Sequence, residues 1–338
     1  MNRWQTFIRF VQTRPLPQAQ RSLDRQRRFF LLLGITAFIT SACTSKAQTD
    51  NQPLTATATA VRQVKHAFGE TEIPANPTRI VVFGYIVLEA LVAYGLQPVG
   101  VPNDIADSLP HLALDEETIA EIGPPGRPNL EKIAVLQPDL ILASKYVVRD
   151  AYPLLAQIAP TVAFDGDIYT DWKELTRLCG EALGKQAETE NLAVAYEDKL
   201  QSVRSKYSQK ATHPQISVIY LYPGQTGAMG TDTFAGSVLA NAGIARPPSQ
   251  AQAQGPKNLS LESLDLLDGD VIFVITLQNN TEKGQESRAE IDRVKAHPLW
   301  SQLKAVQANQ VYEVGSHWVI GSYIAANLIL DDLLTYVA

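Results

Sequence analysis

The chain holds five histidines, at 66, 111, 213, 297 and 317, and two cysteines, at 43 and 179. These are its side chains for holding a transition metal, and they are scattered. None falls at an HxxxH or CxxC spacing, which would set two ligands on one side of an ion. Catalytic signatures are also missing: there is no GxSxG, no GxxxxGK[ST], no HExxH, and no GxGxxG between a strand and a helix. The carboxylates Asp331 and Asp332 are adjacent, but in "LILDDLL" they read as the solvated side of an amphipathic helix. The expectation is therefore recognition without bond-making.

One acid recurs in a pattern. "NLEKIAVLQPDLIL" (129–142) returns as "SLESLDLLDGDVIF" (260–273), without a gap and at one constant offset. Leu130/Leu261, Glu131/Glu262, Leu136/Leu267, Asp139/Asp270 and Ile141/Ile272 are identical, and Ile133/Leu264 and Leu140/Val271 are both apolar. Each copy reads as a helix, a turn and a buried strand, with a glutamate in the first turn of the helix. There it complements the helix dipole, which alone would account for it.

The elements around these copies alternate. "RIVVFG", "PVGV", "DLILAS" and "TVAF" read as strands, separated by the helix "VLEALVAYG" and helix 129–137. A second series holds "QISVIYL", "GAMG", "DVIFVIT" and "VYEV", with helices at "FAGSVLANAG", at 261–267 and from about Ser322. Alternation of this kind predicts parallel sheets covered by helices. Residues 171–210 show no strand signal, and "KQAETENLAVAYEDKLQSVRSKY" predicts one long connecting helix. The expected organisation is an N-terminal lobe over 63–170, a connector over 171–210 and a C-terminal lobe over 211–338, with "PPSQAQAQGPKN" (247–258) as a loop. Cys179, among helical apolar positions, reads as a small core residue.

The N-terminal stretch 1–62 differs. Of 29 bases and 35 acids in the 338-residue chain, residues 1–42 hold seven arginines and one acid, leaving 22 against 34 in the remainder, a net charge of −12. That balance argues against binding nucleic acid or an anionic membrane surface. After the arginines, Phe29–Ala42 is an uncharged run of about 14 residues, too short to span a bilayer and typical of an export signal. "TSAC" resembles the lipobox of bacterial lipoproteins, which would place a lipid anchor on Cys43. Thr40 stands where an aliphatic residue is usual, so cleavage after Ala47 stays open. "RRFFL" resembles a twin-arginine signal. Residues 43–62, rich in Thr, Ala, Gln and Asn, read as a flexible tether.

Taken in order, "RIVVFGYIVLEALVAYGLQPVGV", "GRPNLEKIAVLQPDLILASKY", "GTDTFAGSVLANAGI", "HPLWSQLKAVQANQVYEV" and "ANLILDDLL" resemble the substrate-binding lipoproteins of ABC importers for ferric siderophores, relatives of the cobalamin- and haem-binding proteins. The resemblance runs from about residue 61 to 338. It implies an α/β fold of two Rossmann-like lobes joined by a single long helix, with the ligand between them. It also implies a periplasmic, membrane-anchored monomer without a cofactor, serving a two-subunit permease and its ATPase.

In such a fold, ligand contacts come from loops after the C-terminal ends of parallel strands. Those loops supply Tyr85, Arg127, Lys145, Tyr146, Tyr222, Trp318 and Tyr323. Aromatic rings cover apolar ligand surface, and the Arg127 guanidinium can fork onto ligand oxygens. Iron would arrive wrapped in its chelator. Haem or cobalamin is the alternative ligand, with Met229 and His317 as axial candidates, and an exported enzyme is the alternative of another class. In the proteins this chain resembles, the glutamates at the positions of Glu131 and Glu262 dock onto the permease, one per subunit.

Overall fold

The computed structural model describes residues 60–337 apart from Asp104, Ala113, Glu116, Ala211, Pro223, 253–256 and 277–281. The export signal, Cys43 and almost all of the expected tether lie outside the described residues. Folded structure starts earlier than the composition indicates. β1 (Val61–His66) and β2 (Gly69–Pro74) form an antiparallel hairpin, and Arg62 is anchored by hydrogen bonds to the carbonyls of Ala75 and Glu181.

The first lobe is built on five parallel strands in the order β5-β4-β3-β6-β7, namely Ala120–Glu121, Gly100–Val101, Ile80–Phe83, Leu140–Ser144 and Thr161–Phe164. "IVVF", "LILA" and "TVAF" are buried at every position, as expected of parallel strands covered on both faces. α1 (Tyr85–Ala93), α2 (Leu130–Val135) and α3 (Tyr152–Ile158) belong to this lobe.

Two helices follow. α4 (Trp172–Leu183) packs on α1 and ends at Gly184, whose left-handed backbone (φ 68°) closes the helix. α5 (Gln186–Ser208) is the expected long helix, 23 residues and so about 34 Å. Trp172 fastens this region to the second lobe. Its indole donates to Ser237 Oγ (3.1 Å), and its ring meets Tyr196, Phe234 and Tyr323 edge-on at 5.2–5.5 Å.

The second sheet runs β10-β9-β8-β11-β12: Lys257–Leu259, Gln225–Ala228, Ile216–Tyr222, Val271–Ile275 and Val311–Val314. It departs from the expectation of parallel strands only, because β9 is antiparallel to both neighbours. A hairpin replaces the crossover there, and the segment expected as loop contributes β10. Helices α6 (Phe234–Asn241), α7 (Glu282–Lys295) and α8 (Tyr323–Tyr336) complete the lobe. α7 escaped the sequence reading, since its "EKGQESRAEIDRVK" carries few apolar residues to mark a helical stripe.

The repeat is structural as well as sequential. β6 and β11 begin and end at the offset that relates the two copies, and each is the fourth strand of its sheet. The shared aspartate has a matching task in both. Asp139 accepts from the amides of Thr78 and Arg79 at the start of β3, and Asp270 accepts from the amide of Gln215 before β8. The helices of the two copies differ, since 261–267 winds as a 3-10 helix with a kink at Ser263.

Candidate ligand-binding cleft

Each sheet reverses its order of growth between its third and fourth strands, β3 beside β6 and β8 beside β11. Loops leaving two such strands in opposite directions open a crevice at their C-terminal ends. In the first lobe this places Tyr85 after β3, with Lys145 and Tyr146 after β6. Gly84 (φ 134°) turns the chain between β3 and α1, and a Cβ on it would lie 3.3 Å from Ser144 Cβ. In the second lobe Tyr222 ends β8 at the equivalent place, with only 8% of its surface exposed.

Tyrosines at these two places are linked electrostatically through a third, Tyr169. Tyr169, in the loop after β7, has its hydroxyl pKa raised first by burial and then by Asp167, Tyr85 and Tyr146. Tyr222 is raised first by burial and then by Tyr220 and Tyr169. Tyr169 therefore stands within electrostatic reach of tyrosines from both lobes. Tyr220 lies 5.5 Å from Tyr222 between ring centroids and donates to Asn258 Oδ1. A phenol is a hydrogen-bond donor suited to a ligand rich in acceptor oxygens, and an accessible ring can cover the ligand's apolar parts. Lys145, 2.5 Å from Asp165, adds a cation at the edge. Tyr169, outside the expected set, becomes a candidate through its place in the loop after β7, while Tyr220 is 2% exposed and belongs to the packing of the lobe.

Arg127 sits exposed in the turn Pro124–Pro128, its amide bonded to the carbonyl of Pro124. Its guanidinium makes no hydrogen bond or ion pair among the described residues, which leaves it free for a ligand.

Two expected contacts are packing residues. Trp318 is 0% exposed, stacked on Phe273 at 4.6 Å, with its indole N–H donated to Asp332 Oδ2 (2.8 Å). Tyr323 is 5% exposed and lies edge-on to Trp172 and Tyr196, where α8 meets the connector. Both follow the last strand closely in sequence, but the 3-10 turn Ser316–Trp318 and the first turn of α8 direct them inward. Asp332 is likewise not solvated as expected: it accepts from Trp318 and pairs with His317 Nε2 at 2.9 Å, while Asp331 faces out to Lys199.

His111, after β4 of the first lobe, and His317, after β12 of the second, bring their rings to 6.0 Å at 70°. Glu89 Oε2 lies 3.6 Å from His111 Nε2. The two histidines come from opposite ends of the folded chain and could not be paired from the sequence. Met229 is buried, and its amide donates to the carbonyl of Val218. Among the described residues no group of three or more His, Cys, Asp or Glu side chains is arranged to hold a metal ion. Cys179 is buried in α4, and burial pushes its thiol pKa up.

A family model described as "Periplasmic binding protein" matches residues 80–317, which span both sheets and both switch points. The chain belongs to this periplasmic binding protein family. The family is one of binding proteins and not of enzymes. Of the relatives, a "Probable siderophore-binding lipoprotein" of Bacillus subtilis is 32% identical over 320 residues, covering 91% of this chain and 96% of the relative. The achromobactin-binding periplasmic protein of Dickeya dadantii is 30% identical, covering 76% and 85%. A crystal structure of Staphylococcus aureus SirA complexed with staphyloferrin B superposes with a TM-score of 0.65 at 30% identity, covering 81% of this chain and 98% of that one. This periplasmic binding protein thus has the two-lobed fold of the siderophore-binding proteins.

Proposed function

We propose that this periplasmic binding protein captures a ferric siderophore in the cleft lined by Tyr85, Tyr146, Tyr169 and Tyr222 and delivers it to the permease of an ABC importer. The observation that carries the reading is the placement of Tyr85, Tyr146 and Tyr222 at the C-terminal ends of the strands that flank the switch points of both sheets, in a chain with a siderophore-binding relative. Iron needs no protein ligand in this reading, because its chelator fills the coordination shell. Arg127 and Lys145 supply positive charge to the chelator's oxygens. Export by the N-terminal signal, with Cys43 as lipid anchor, keeps the protein beside its permease. Glu131 and Glu262, both exposed in the first turns of their helices, are the docking glutamates, one for each of two permease subunits.

The test is a tryptophan-fluorescence titration of the purified protein with ferric citrate, ferric staphyloferrin B, a ferric hydroxamate, a ferric catecholate, haem and cobalamin. The reading expects saturable quenching by a ferric siderophore, lost when Tyr169 and Tyr222 are both replaced by alanine. Tight binding of haem or cobalamin alone would overturn it.

A further inference from the structure

We propose that Glu89, His111 and His317 make the joint between the lobes a proton-operated latch, which takes up protons as pH falls and then holds the lobes together more firmly. It operates whatever the cleft captures.

Glu89 is fully buried on α1, and its two oxygens have unequal surroundings. Oε1 accepts from the Ala325 amide (2.6 Å) and from Ser322 Oγ (3.2 Å), which ties the first lobe to α8 of the second. Oε2 is buried without a hydrogen-bond partner among the described residues, and so are both ring nitrogens of His111. These orphaned atoms lie together, with His111 Nε2 3.6 Å from Glu89 Oε2. Buried polar atoms left unpaired are destabilising, and a bare carboxylate oxygen more so. Solvent gives little relief, because the His111 side chain is only 9% exposed. A neutral imidazole can offer Oε2 an N–H but no charge. A protonated one offers both, across a gap that a small movement of the ring closes to a charge-assisted hydrogen bond.

The neighbouring groups decide the sign. Beyond His111, the His317 ring of the second lobe stands 6.0 Å away, and its Nε2 pairs with Asp332 Oδ2 of α8 at 2.9 Å. Trp318 Nε1 donates to the same oxygen. Asp331, next along α8, turns out to Lys199 of α5. On α4, which packs on α1, Arg177 is occupied by Glu174 and Glu181. Two acids and two imidazoles therefore meet at the joint. With both rings neutral it carries two negative charges, and with both protonated it carries none. Two ring cations repel across the lobes, but each stands nearer its own carboxylate, at 3.6 and 2.9 Å, than the other ring at 6.0 Å, so attraction prevails. Histidine changes charge between about pH 5 and 8. A proton bound more tightly by the formed joint strengthens it at the acid end of that window, and the gain is lost as pH rises through it.

Opening the joint frees the Ala325 amide. Hydrogen exchange of the first turn of α8 in the purified protein, corrected for the intrinsic rate at each pH, therefore reads the latch. Protection should rise about tenfold from about pH 8 to about 5.5, the effect of one proton bound tenfold more tightly by the formed joint. His111→Gln, whose side chain takes up no proton, should flatten the profile, and so should Glu89→Gln. His213→Gln is the control, since that ring is exposed beside Tyr207, and it should leave the rise intact. A profile that His111→Gln does not alter, or that His213→Gln abolishes, would overturn the latch. Should the variants at 89 and 111 fold poorly, proton NMR of the wild-type histidine rings decides. The His111 resonance, recognised by its contact with the His317 ring, should shift across the same window, and a resonance constant from about pH 8 to about 5.5 would overturn the proposal.

Discussion

Glu89 and Ala325 are separated by 236 residues in the chain and joined by a hydrogen bond of 2.6 Å, from the Ala325 amide to Glu89 Oε1. Ala325 is the third residue of α8, so its amide is one of those a helix cannot satisfy internally. A carboxylate from α1 of the first lobe therefore caps the last helix of the second, assisted by Ser322 Oγ at 3.2 Å on the same oxygen. Glu89 is fully buried, and Gly321 lies against it so closely that a Cβ there would sit 2.5 Å from Glu89 Oε2. The two lobes are pinned at this point.

Glu89→Ala should lower unfolding stability by about 1–3 kcal/mol, the cost of leaving a buried donor unpaired. Glu89→Gln, which keeps the accepting oxygen, should cost less, and Gly321→Ala should destabilise by steric conflict. Urea unfolding of the three variants checks the order. Equal stability of Glu89→Ala and wild type would show that the trans-lobe cap contributes nothing.

For ligand affinity, Arg127→Ala should weaken binding of the ferric complex by about 1–3 kcal/mol, the range for losing a charge-assisted hydrogen bond, with the fold intact. Tyr146→Phe should weaken it by less, because the ring still covers the ligand. Trp318→Phe, by contrast, should lower stability, since its indole N–H is spent on Asp332 inside the lobe. Fluorescence titration alongside thermal unfolding separates the two classes of effect.

Glu313 predicts a pH dependence. Its carboxyl pKa is lowered to about 2, chiefly by hydrogen bonding to Arg288, then by Lys295, at 2.7 Å from each side chain. A carboxyl whose folded pKa lies below its unfolded value, about 4.3 for glutamate, stabilises the fold above that unfolded value. The contribution fades as pH falls from there through about 2, below which both states are protonated. Glu313→Gln should therefore flatten the fall in stability between about pH 4.5 and 2, read by urea unfolding across that window. An unchanged pH profile would show that solvent screens this half-exposed trio.

For transport, Glu131→Ala and Glu262→Ala should leave ligand affinity within about twofold while reducing uptake. The double variant should be worse than either, since each substitution removes one charge pair from a separate part of the interface. Uptake at the wild-type level in an exported, loaded double variant would reduce the repetition to helix capping.

Much of this architecture was legible because it is written in local periodicity. "IVVF", "LILA" and "TVAF" are buried runs with no other plausible reading, and the duplicated strand is visible at a fixed offset. Hairpin β1–β2 was hidden by its exposed, polar alternation, and α7 by its charge. Among the candidate contacts, the positions of Tyr85, Tyr146 and Tyr222 at strand ends could be read from the sequence, whereas Trp318 and Tyr323 turn inward, because sequence proximity to a strand end does not fix which way a side chain points. Glu89, His111 and His317 meet only through tertiary folding, which no spacing in the chain encodes.

The connector bears on how the cleft closes. α5 is continuous for 23 residues and packs along α8, α4 packs on α1, and Trp172 joins this region to Ser237 of the second lobe. A helix has no pair of soft strands about which to swing, and Glu89 adds a second attachment between the lobes. Opening this joint would break the Ala325 cap and part the rings around Trp172. Ligand binding should therefore change the radius of gyration little, by about 1 Å or less, in contrast to hinge-type closure. The same binding should raise the melting temperature, because a ligand held by both lobes stabilises only the folded state. Small-angle scattering with and without the ferric complex checks the first expectation and calorimetry the second. A large compaction on loading would show that the lobes move about a hinge that these contacts do not restrain.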